Sequence, residues 1–148
     1  MRLRRRAVIA APLAVAVPRG AAAGAAEETF DAAERAILAG RTPVTTGIAL
    51  DIPTLSENGN SVDVSVRVES PTTAEDHVTL IHLLAEKNPV PRIATFHLSP
   101  RAGRAEVATR VRLATTQTIL VLAETSRGVV HRAGTEVIVV LGACVETG

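Results

Sequence analysis

The chain has 148 residues, with one cysteine, two phenylalanines and neither tryptophan nor tyrosine. Five of its sixteen basic residues and none of its acidic residues precede Glu27, so residues 27–148 carry 11 basic and 15 acidic residues, a net charge of −4. A mildly acidic chain that is nearly free of aromatic rings lacks the basic patch and the stacking surface of a nucleic-acid binder. A lone cysteine cannot close an internal disulfide, so Cys144 is free, modified or paired with another molecule.

Residues 1–26 have the layout of an export signal, because a cluster of arginines precedes a short apolar run and a zone of small residues. The apolar run is too short to span a bilayer, which makes a membrane anchor the less favoured interpretation. Arg5-Arg6, followed by "AVI", resembles a twin-arginine signal, although Arg4 stands where Ser or Thr is usual. We therefore expect twin-arginine export, with the general secretory route as the alternative.

The segment "AEETFDAAERAILAG" predicts a short amphipathic helix at the start of the exported part. Gly40 is the expected C-cap of this helix, and Pro43 prevents its continuation. An apolar stripe at helical spacing predicts a packing surface, and it consists of Phe30, Ala33, Ile37 and Leu38.

After Pro43 the hydrophobic period changes to two, as "SVDVSVRVES" shows by its strict alternation of valines with polar residues. In the preceding "ENGN", Asn58-Gly59 predicts a tight turn, since both residues tolerate positive φ. Apolar runs separated by turn residues predict an all-β sandwich of about seven strands within residues 27–141. The other runs are "TTGIALDI", "HVTLIHLLAE", "IATFHL", "RAEVATRVRL", "TQTILVLAE" and "GTEVIVVL". The run from His77 to Glu86 lacks alternation and could instead be helical.

Two of these runs, "HVTLIHLLAE" and "TQTILVLAE", are apolar at both odd and even positions. One face of each strand would line the core. The other face must be covered by the helix or by another subunit.

No enzyme motif is visible, since the sequence has neither a Gly-rich phosphate loop nor a G-x-S-x-G nucleophile elbow. The four histidines have no neighbouring metal-ligating residue at the usual spacing, although two strand histidines could still meet across a sheet. We expect no catalytic residue, no metal and no cofactor. The histidines are His77, His82, His97 and His131.

Cys144 could be a chance cysteine on a frayed end, but its position favours a function. The predicted last strand ends at Leu141, and the small residues Gly142 and Ala143 separate it from the thiol. A thiol on such a short tether, at the start of an arm formed by residues 142–148, can reach into another protein's pocket. It would act as a nucleophile in its thiolate form.

Several ungapped blocks, in order, resemble the SoxY family, the sulfur-carrier subunits of the bacterial sulfur-oxidising (Sox) multienzyme system. The resemblance extends from about Phe30 to Cys144. The blocks are "SENGN" at 56–60, "SPTTAEDHV" at 70–78, "IHLLAEKNP" at 81–89, "IATFHL" at 93–98, "LATTQTILVLAETSRG" at 113–128 and "VIVVLGAC" at 137–144.

This resemblance implies an immunoglobulin-like β-sandwich in the periplasm that pairs with a second small β-sandwich subunit, SoxZ. It implies that thiosulfate-derived sulfur is attached covalently to Cys144, which lies on a flexible arm. It also implies transient docking to enzymes that act on the bound sulfur: the haem-containing SoxAX, the manganese-dependent SoxB and the sulfur dehydrogenase.

The arm departs from the family's usual Gly-Gly-Cys-Gly-Gly. Val145 is stiff, and Glu146 places a carboxylate near the thiol and near the terminal carboxylate, which should raise the thiol pKa and repel thiosulfate. The chain is then either a carrier with adapted partners or a divergent paralogue for another substrate. A different hypothesis is a structural β-sandwich in which Cys144 only forms an intermolecular disulfide. The seven arm residues are Gly142, Ala143, Cys144, Val145, Glu146, Thr147 and Gly148.

Overall fold

Two β-sheets and one α-helix make up the computed structural model, which describes residues 27–143. One sheet has the strand order β1-β3-β6, and the other has the order β2-β8-β7-β4-β5. This arrangement confirms the predicted β-sandwich with a short N-terminal helix. In chain order the elements are α1 Phe30–Leu38, β1 Ile48–Asp51, β2 Leu55–Asn58, β3 Val62–Val68, β4 Val78–Ala85, β5 Arg92–His97, a short 3-10 helix Pro100–Ala102, β6 Ala105–Val111, β7 Gln117–Thr125 and β8 Val130–Leu141.

Strand β3 shows how the alternating sequence produces the sandwich. It lies between β1 and β6, antiparallel to both, and its four valines are buried while Asp63 and Arg67 are exposed. The valines contact the inward side chains of the five-stranded sheet, which include Ile81, Ile119 and Val137. Removing this apolar surface from water is the main term that stabilises the two-sheet core.

The helix covers the opposite, outer face of the five-stranded sheet. Ala33 and Ile37 of α1 are buried there, and Leu84, Leu120 and Leu122 belong to the same apolar cluster. Phe30 and Leu38 are partly buried against it. The helix therefore covers outward apolar side chains of β4 and β7. This was one of the two predicted alternatives, the other being coverage by another subunit.

The C-cap of the helix lies one residue before Gly40. The N-cap Thr29 accepts a hydrogen bond from the Ala32 amide at 3.2 Å, and the C-cap is Ala39 in the left-handed conformation, with φ 48°. Gly40 follows with φ 80°. The prediction of Gly40 as the C-cap was therefore wrong by one residue, because the left-handed turn already begins at an alanine.

The eight strands in residues 27–143 agree with the prediction of about seven, and the additional one is the short β2, which pairs in parallel with β8 and has no alternating pattern of its own. Two other expectations are corrected by the strands. The segment from His77 to Glu86 contains strand β4, so its helical alternative is wrong. Asn58-Gly59 does form part of a turn, but neither residue has positive φ, and the turn joins strands of different sheets.

No helix within residues 27–143 is long and apolar enough to cross a membrane. The predicted export signal, residues 1–26, lies outside the described residues.

Candidate functional site

The last strand leads directly to the cysteine. Strand β8 is 12 residues long and ends at Leu141, and the described chain continues to Ala143. Cys144 and the predicted arm residues Val145, Glu146, Thr147 and Gly148 lie outside the described residues. The described part of the site therefore ends at Ala143, the residue before the cysteine.

Gly142 and Ala143 contact the body of the protein. The Ala143 amide donates to the Leu113 carbonyl at 3.0 Å, and the Gly59 amide donates to the Leu141 carbonyl at 2.7 Å. Ala143 is only 7% exposed. This differs from the expectation that these two residues form part of a tether clear of the body, because hydrogen bonding and burial hold them against the loop that follows β6.

Two glycines permit this close approach. A Cβ atom on Gly142 would lie 2.1 Å from the Ala114 carbonyl oxygen, and one on Gly59 would lie 2.3 Å from the Leu113 carbonyl oxygen. Neither distance is compatible with a side chain unless the backbone moves. Glycine is therefore needed at both positions for backbone packing, whereas the sequence suggested flexibility at Gly142 and positive φ at Gly59.

We call residues 112–116, which connect β6 to β7, the anchor loop. Asn88 holds this loop from the side opposite Ala143. Its Oδ1 accepts from the Ala114 amide at 3.0 Å, and its Nδ2 donates to the Arg112 carbonyl at 2.8 Å. Because the Leu113 amide and carbonyl bond Gly59 and Ala143, the loop is hydrogen-bonded along both of its edges.

Gln117 supports Asn88 from within the protein. Its side chain is 1% exposed, yet Nε2 donates to Asn88 Oδ1 at 2.8 Å and Oε1 accepts from the Lys87 amide at 2.8 Å. Nε2 also donates to the Thr115 carbonyl at 3.1 Å. Burying an amide costs free energy unless its polar atoms are hydrogen-bonded. These hydrogen bonds therefore allow the side chain of Gln117 to be buried.

Thr116 joins the anchor loop to the last strand. Its hydroxyl accepts from the Val139 amide at 2.9 Å and donates to the Val139 carbonyl at 3.4 Å. Val139 lies three residues before Gly142. One side chain thus fixes the spacing between the loop and β8.

Sequence reasoning did not identify this arrangement. Gly59, Asn88 and Gln117 each lie within a resemblance block, but Gly59 was interpreted as a turn residue, and Asn88 and Gln117 contributed only to the family signature. A glutamine at the head of a long apolar strand was the available signal, because such a residue must be bonded if it is buried.

An apolar strip lies beside the site on β2 and the end of β8. Its four side chains are between 48% and 68% exposed, and they account for four of the seven exposed large apolar residues in the part of the chain described. Ile138 and Val140 project from β8 on the face opposite the core residues Val137 and Val139. The strip consists of Leu55, Ile138 and Val140 on one face of the sheet, together with Leu141 at the end of β8.

Three of the four histidines make separate hydrogen bonds. His82 is buried, with Nε2 3.0 Å from Glu124 Oε1 and Nδ1 3.1 Å from Thr95 Oγ1, while His97 is exposed. His77 and His131 bond backbone carbonyls. Among residues 27–143, no three His, Cys, Asp or Glu residues are grouped as a metal site requires.

Glu124 joins His82 to the end of the helix. Its other oxygen, Oε2, lies 2.7 Å from Arg41 Nη2, and Arg41 also donates to the Ile37 and Leu38 carbonyls at the helix C-terminus. Partial burial raises the pKa of Glu124, but the hydrogen bonds and charges of Arg41 and His82 outweigh it and leave the pKa below its usual value. This cluster stabilises the packing of the helix on the sheet.

A family model described as sulfur oxidation protein SoxY matches residues 34–144. Among solved structures, the sulfur carrier protein SoxY from Chlorobium limicola f thiosulfatophilum is 32% identical with a TM-score of 0.58, and the match covers 72% of this chain and 94% of that chain. A superoxide reductase (neelaredoxin) from Ignicoccus hospitalis is 18% identical with a TM-score of 0.57, covering 75% and 93%. At that identity the second likeness shows the fold alone. A search of curated proteins gives no match.

Proposed function

This chain belongs to the SoxY family of sulfur oxidation proteins, and we propose that it is a periplasmic sulfur carrier that holds sulfur intermediates covalently on Cys144. The observation that carries this proposal is the position of the cysteine. It is the only thiol of the chain and directly follows a buried, hydrogen-bonded residue at the end of the last strand.

Other proteins would catalyse the proposed reactions of the bound sulfur. Joining the Cys144 sulfur to the outer sulfur of thiosulfate releases the thiol proton and two electrons, which a haem protein of the SoxAX type would accept. Water can then release the terminal sulfonate as sulfate and leave a persulfide on the cysteine, a hydrolysis that SoxB would catalyse. The carrier supplies a nucleophilic thiolate and a surface for docking, so we assign it the role of a non-catalytic subunit.

Covalent attachment explains why such a subunit is useful. A bound intermediate does not diffuse away between successive enzymes, and its effective concentration at the next active site exceeds that of a free ion. The proposed periplasmic location is supported by the layout of residues 1–26, in which arginines precede an apolar run and small residues.

We assign the apolar strip to a SoxZ-like partner subunit. Exposed apolar patches of this kind are typical of protein interfaces, and β2 offers the partner a sheet edge beside the strip. The enzymes SoxAX, SoxB and the sulfur dehydrogenase would dock transiently around the cysteine.

The substitution Val140→Lys tests this assignment against Val90→Lys. Val140 lies in the strip and is 62% exposed, whereas Val90 lies outside it and is 67% exposed. We expect Val140→Lys to weaken binding of the SoxZ-like subunit by at least about tenfold, because a charge must be desolvated at the interface. Val90→Lys should leave the affinity unchanged. Equal affinities of both variants in isothermal titration calorimetry would place the partner elsewhere.

The proposed source of the bound sulfur is thiosulfate. Ala143, Val145 and Glu146 stand where the family usually has glycines beside the cysteine, which favours partners adapted to a bulkier arm or a different sulfur substrate. Either substrate would use the same sulfur atom.

Replacement of Cys144 by serine tests the function. We expect Cys144→Ser to fold, to bind the SoxZ-like subunit and to abolish sulfur oxidation when it replaces the native chain in cells. Growth on thiosulfate with an unimpaired oxidation rate would contradict the carrier role. That result would favour a structural role in which the cysteine forms only an intermolecular disulfide.

A further inference from the structure

The residue that precedes the sulfur is fixed by a network that reaches from the interior of the protein. Gln117 is buried and donates a hydrogen bond to Asn88. Asn88 is in turn hydrogen-bonded to both neighbours of Leu113. The Leu113 carbonyl accepts a hydrogen bond from the Ala143 amide. Each link is a hydrogen bond of 2.8 to 3.0 Å. The network therefore connects the folded core to the base of the cysteine.

We propose that Asn88, Thr116 and Gln117 are positioning residues for Cys144, and that they determine where the sulfur leaves the protein surface. This inference rests on the proposed function, because positioning matters only if another protein must reach the sulfur.

Covalent geometry gives the distance over which the network acts. Consecutive Cα atoms are about 3.8 Å apart, so the sulfur of Cys144 lies within roughly 7 Å of the Ala143 Cα. A fixed Ala143 therefore limits how far the sulfur can move from the anchor loop. Without the network, Ala143 would lose its attachment, and this limit would no longer apply.

Several features separate this network from ordinary turn bonding. Asn88 and Gln117 come from segments 29 residues apart, and Asn88 bonds the loop on the edge that Ala143 does not use. Gly59 and Gly142 lack the side chains that would displace the loop. All of these contacts converge on residues 112–116, which then contact β8 through Thr116 and the end of the chain through Leu113.

The expected consequence concerns docking more than chemistry. Fixing the backbone of one residue corresponds to roughly a tenfold change in an equilibrium constant. A carrier whose Ala143 is already fixed loses less freedom when an enzyme binds the arm. Loss of the network should therefore raise the KM for the carrier and leave kcat nearly unchanged, because the bound arm undergoes the same reaction.

The test compares Asn88→Ala with Glu124→Gln as the control. Both variants remove hydrogen bonds made by a polar side chain, but Glu124 lies about 23 Å from Gln117 along strand β7 and contacts the helix end instead. Three quantities are measured for each folded variant: amide hydrogen exchange at Ala143, the kcat and KM for enzymatic loading with thiosulfate by a SoxAX preparation, and the alkylation rate of Cys144 by iodoacetamide.

For Asn88→Ala we expect exchange at Ala143 and the KM for loading to increase on the order of tenfold, with kcat changed by less than about twofold. Iodoacetamide needs no docking, so its rate should not fall. Glu124→Gln should match the wild type in all three. An unchanged Ala143 exchange or KM in folded Asn88→Ala would overturn the proposal, as would an equal increase of KM in Glu124→Gln.

A second pair of variants makes a smaller change and serves if Asn88→Ala does not fold. Thr116→Val removes the hydroxyl that bonds Val139, whereas Thr116→Ser keeps it. We expect Thr116→Val to raise the KM and Thr116→Ser to restore it, and equal KM values for the two would overturn the role of Thr116. Failure of the wild type to load at all would refute thiosulfate as the substrate, while the exchange at Ala143 would still decide whether the network holds that residue.

Discussion

Strand β7 has a polar cluster at each end, and the two clusters differ in charge. At its start, Gln117 and Asn88 bond the anchor loop through neutral amides. At its end, Glu124 bonds Arg41 and His82, which are basic side chains. The first cluster holds Ala143 through the anchor loop, and the second holds the end of helix α1 on the five-stranded sheet.

The difference in charge predicts which segment responds to pH. The neutral cluster contains no group that titrates in its hydrogen bonds, so attachment of Ala143 should be insensitive to acid. The charged cluster depends on an ionised Glu124, whose pKa is below its usual value in the folded protein. Acid should therefore loosen the helix while the base of the cysteine stays attached.

The largest effect is expected from a substitution at Gly59, which packs against the anchor loop held by the neutral cluster. A Cβ there would meet the Leu113 carbonyl oxygen at 2.3 Å, so Gly59→Ala should lower the free energy of unfolding by about 2–3 kcal/mol. Gly134→Ala is the control, since its nearest contact would be 3.3 Å and its loss should be under about 1 kcal/mol. Urea denaturation measures both. Equal losses would mean that the end of the chain is not packed as described.

The charged end is tested by Glu124→Gln. The amide cannot accept from both Arg41 and His82, so the free energy of unfolding at pH 7 should fall by about 1–2 kcal/mol. Asp63→Asn is the control, because Asp63 pairs with Arg110 on an exposed face and should contribute less than about 1 kcal/mol. A smaller loss for Glu124→Gln than for Asp63→Asn would contradict the structural role of the cluster.

The effect of Glu124→Gln should also depend on pH. Because the folded-state pKa of Glu124 is lowered, its contribution is complete above the unfolded pKa and disappears as the pH falls through the folded pKa. The stability difference between wild type and Glu124→Gln should therefore shrink as the pH falls below about 4. Denaturation curves at a series of pH values measure it. A difference that stays constant down to pH 2 would show that ionisation of Glu124 is irrelevant.

The smallest effect concerns the cysteine itself. Glu146 lies two residues from Cys144, and like charges disfavour the thiolate, so Glu146→Gln should speed alkylation by iodoacetamide at neutral pH about twofold. Glu136→Gln, eight residues before the cysteine, should leave the rate unchanged. Identical rates for the two variants would mean that the charge of Glu146 does not reach the sulfur.

The sequence predicted those elements whose signal is local. The alternating valines of β3 and the helical stripe from Phe30 to Leu38 each bury the face that their spacing indicated. Strand β2 could not be predicted, because its four residues gain strand geometry only from parallel pairing with β8, about 80 residues later.

The candidate site was predicted only as a cysteine near the end of the chain. Nothing local in the sequence shows that Gly142 approaches the Ala114 carbonyl, or that Asn88 and Gln117 meet. These contacts depend on how three separate loops converge. The role of Gly142 was therefore interpreted as flexibility, when close backbone packing is what requires a glycine there.

The central claim is that Cys144 carries sulfur, and the mass of the C-terminal peptide tests it most directly. The protein would be purified from cells oxidising thiosulfate and measured before and after treatment with a reducing thiol. We predict a mass increase that corresponds to sulfane or sulfonate sulfur, confined to the peptide that contains Cys144 and removed by the thiol. An unmodified Cys144 peptide from actively oxidising cells would contradict the account.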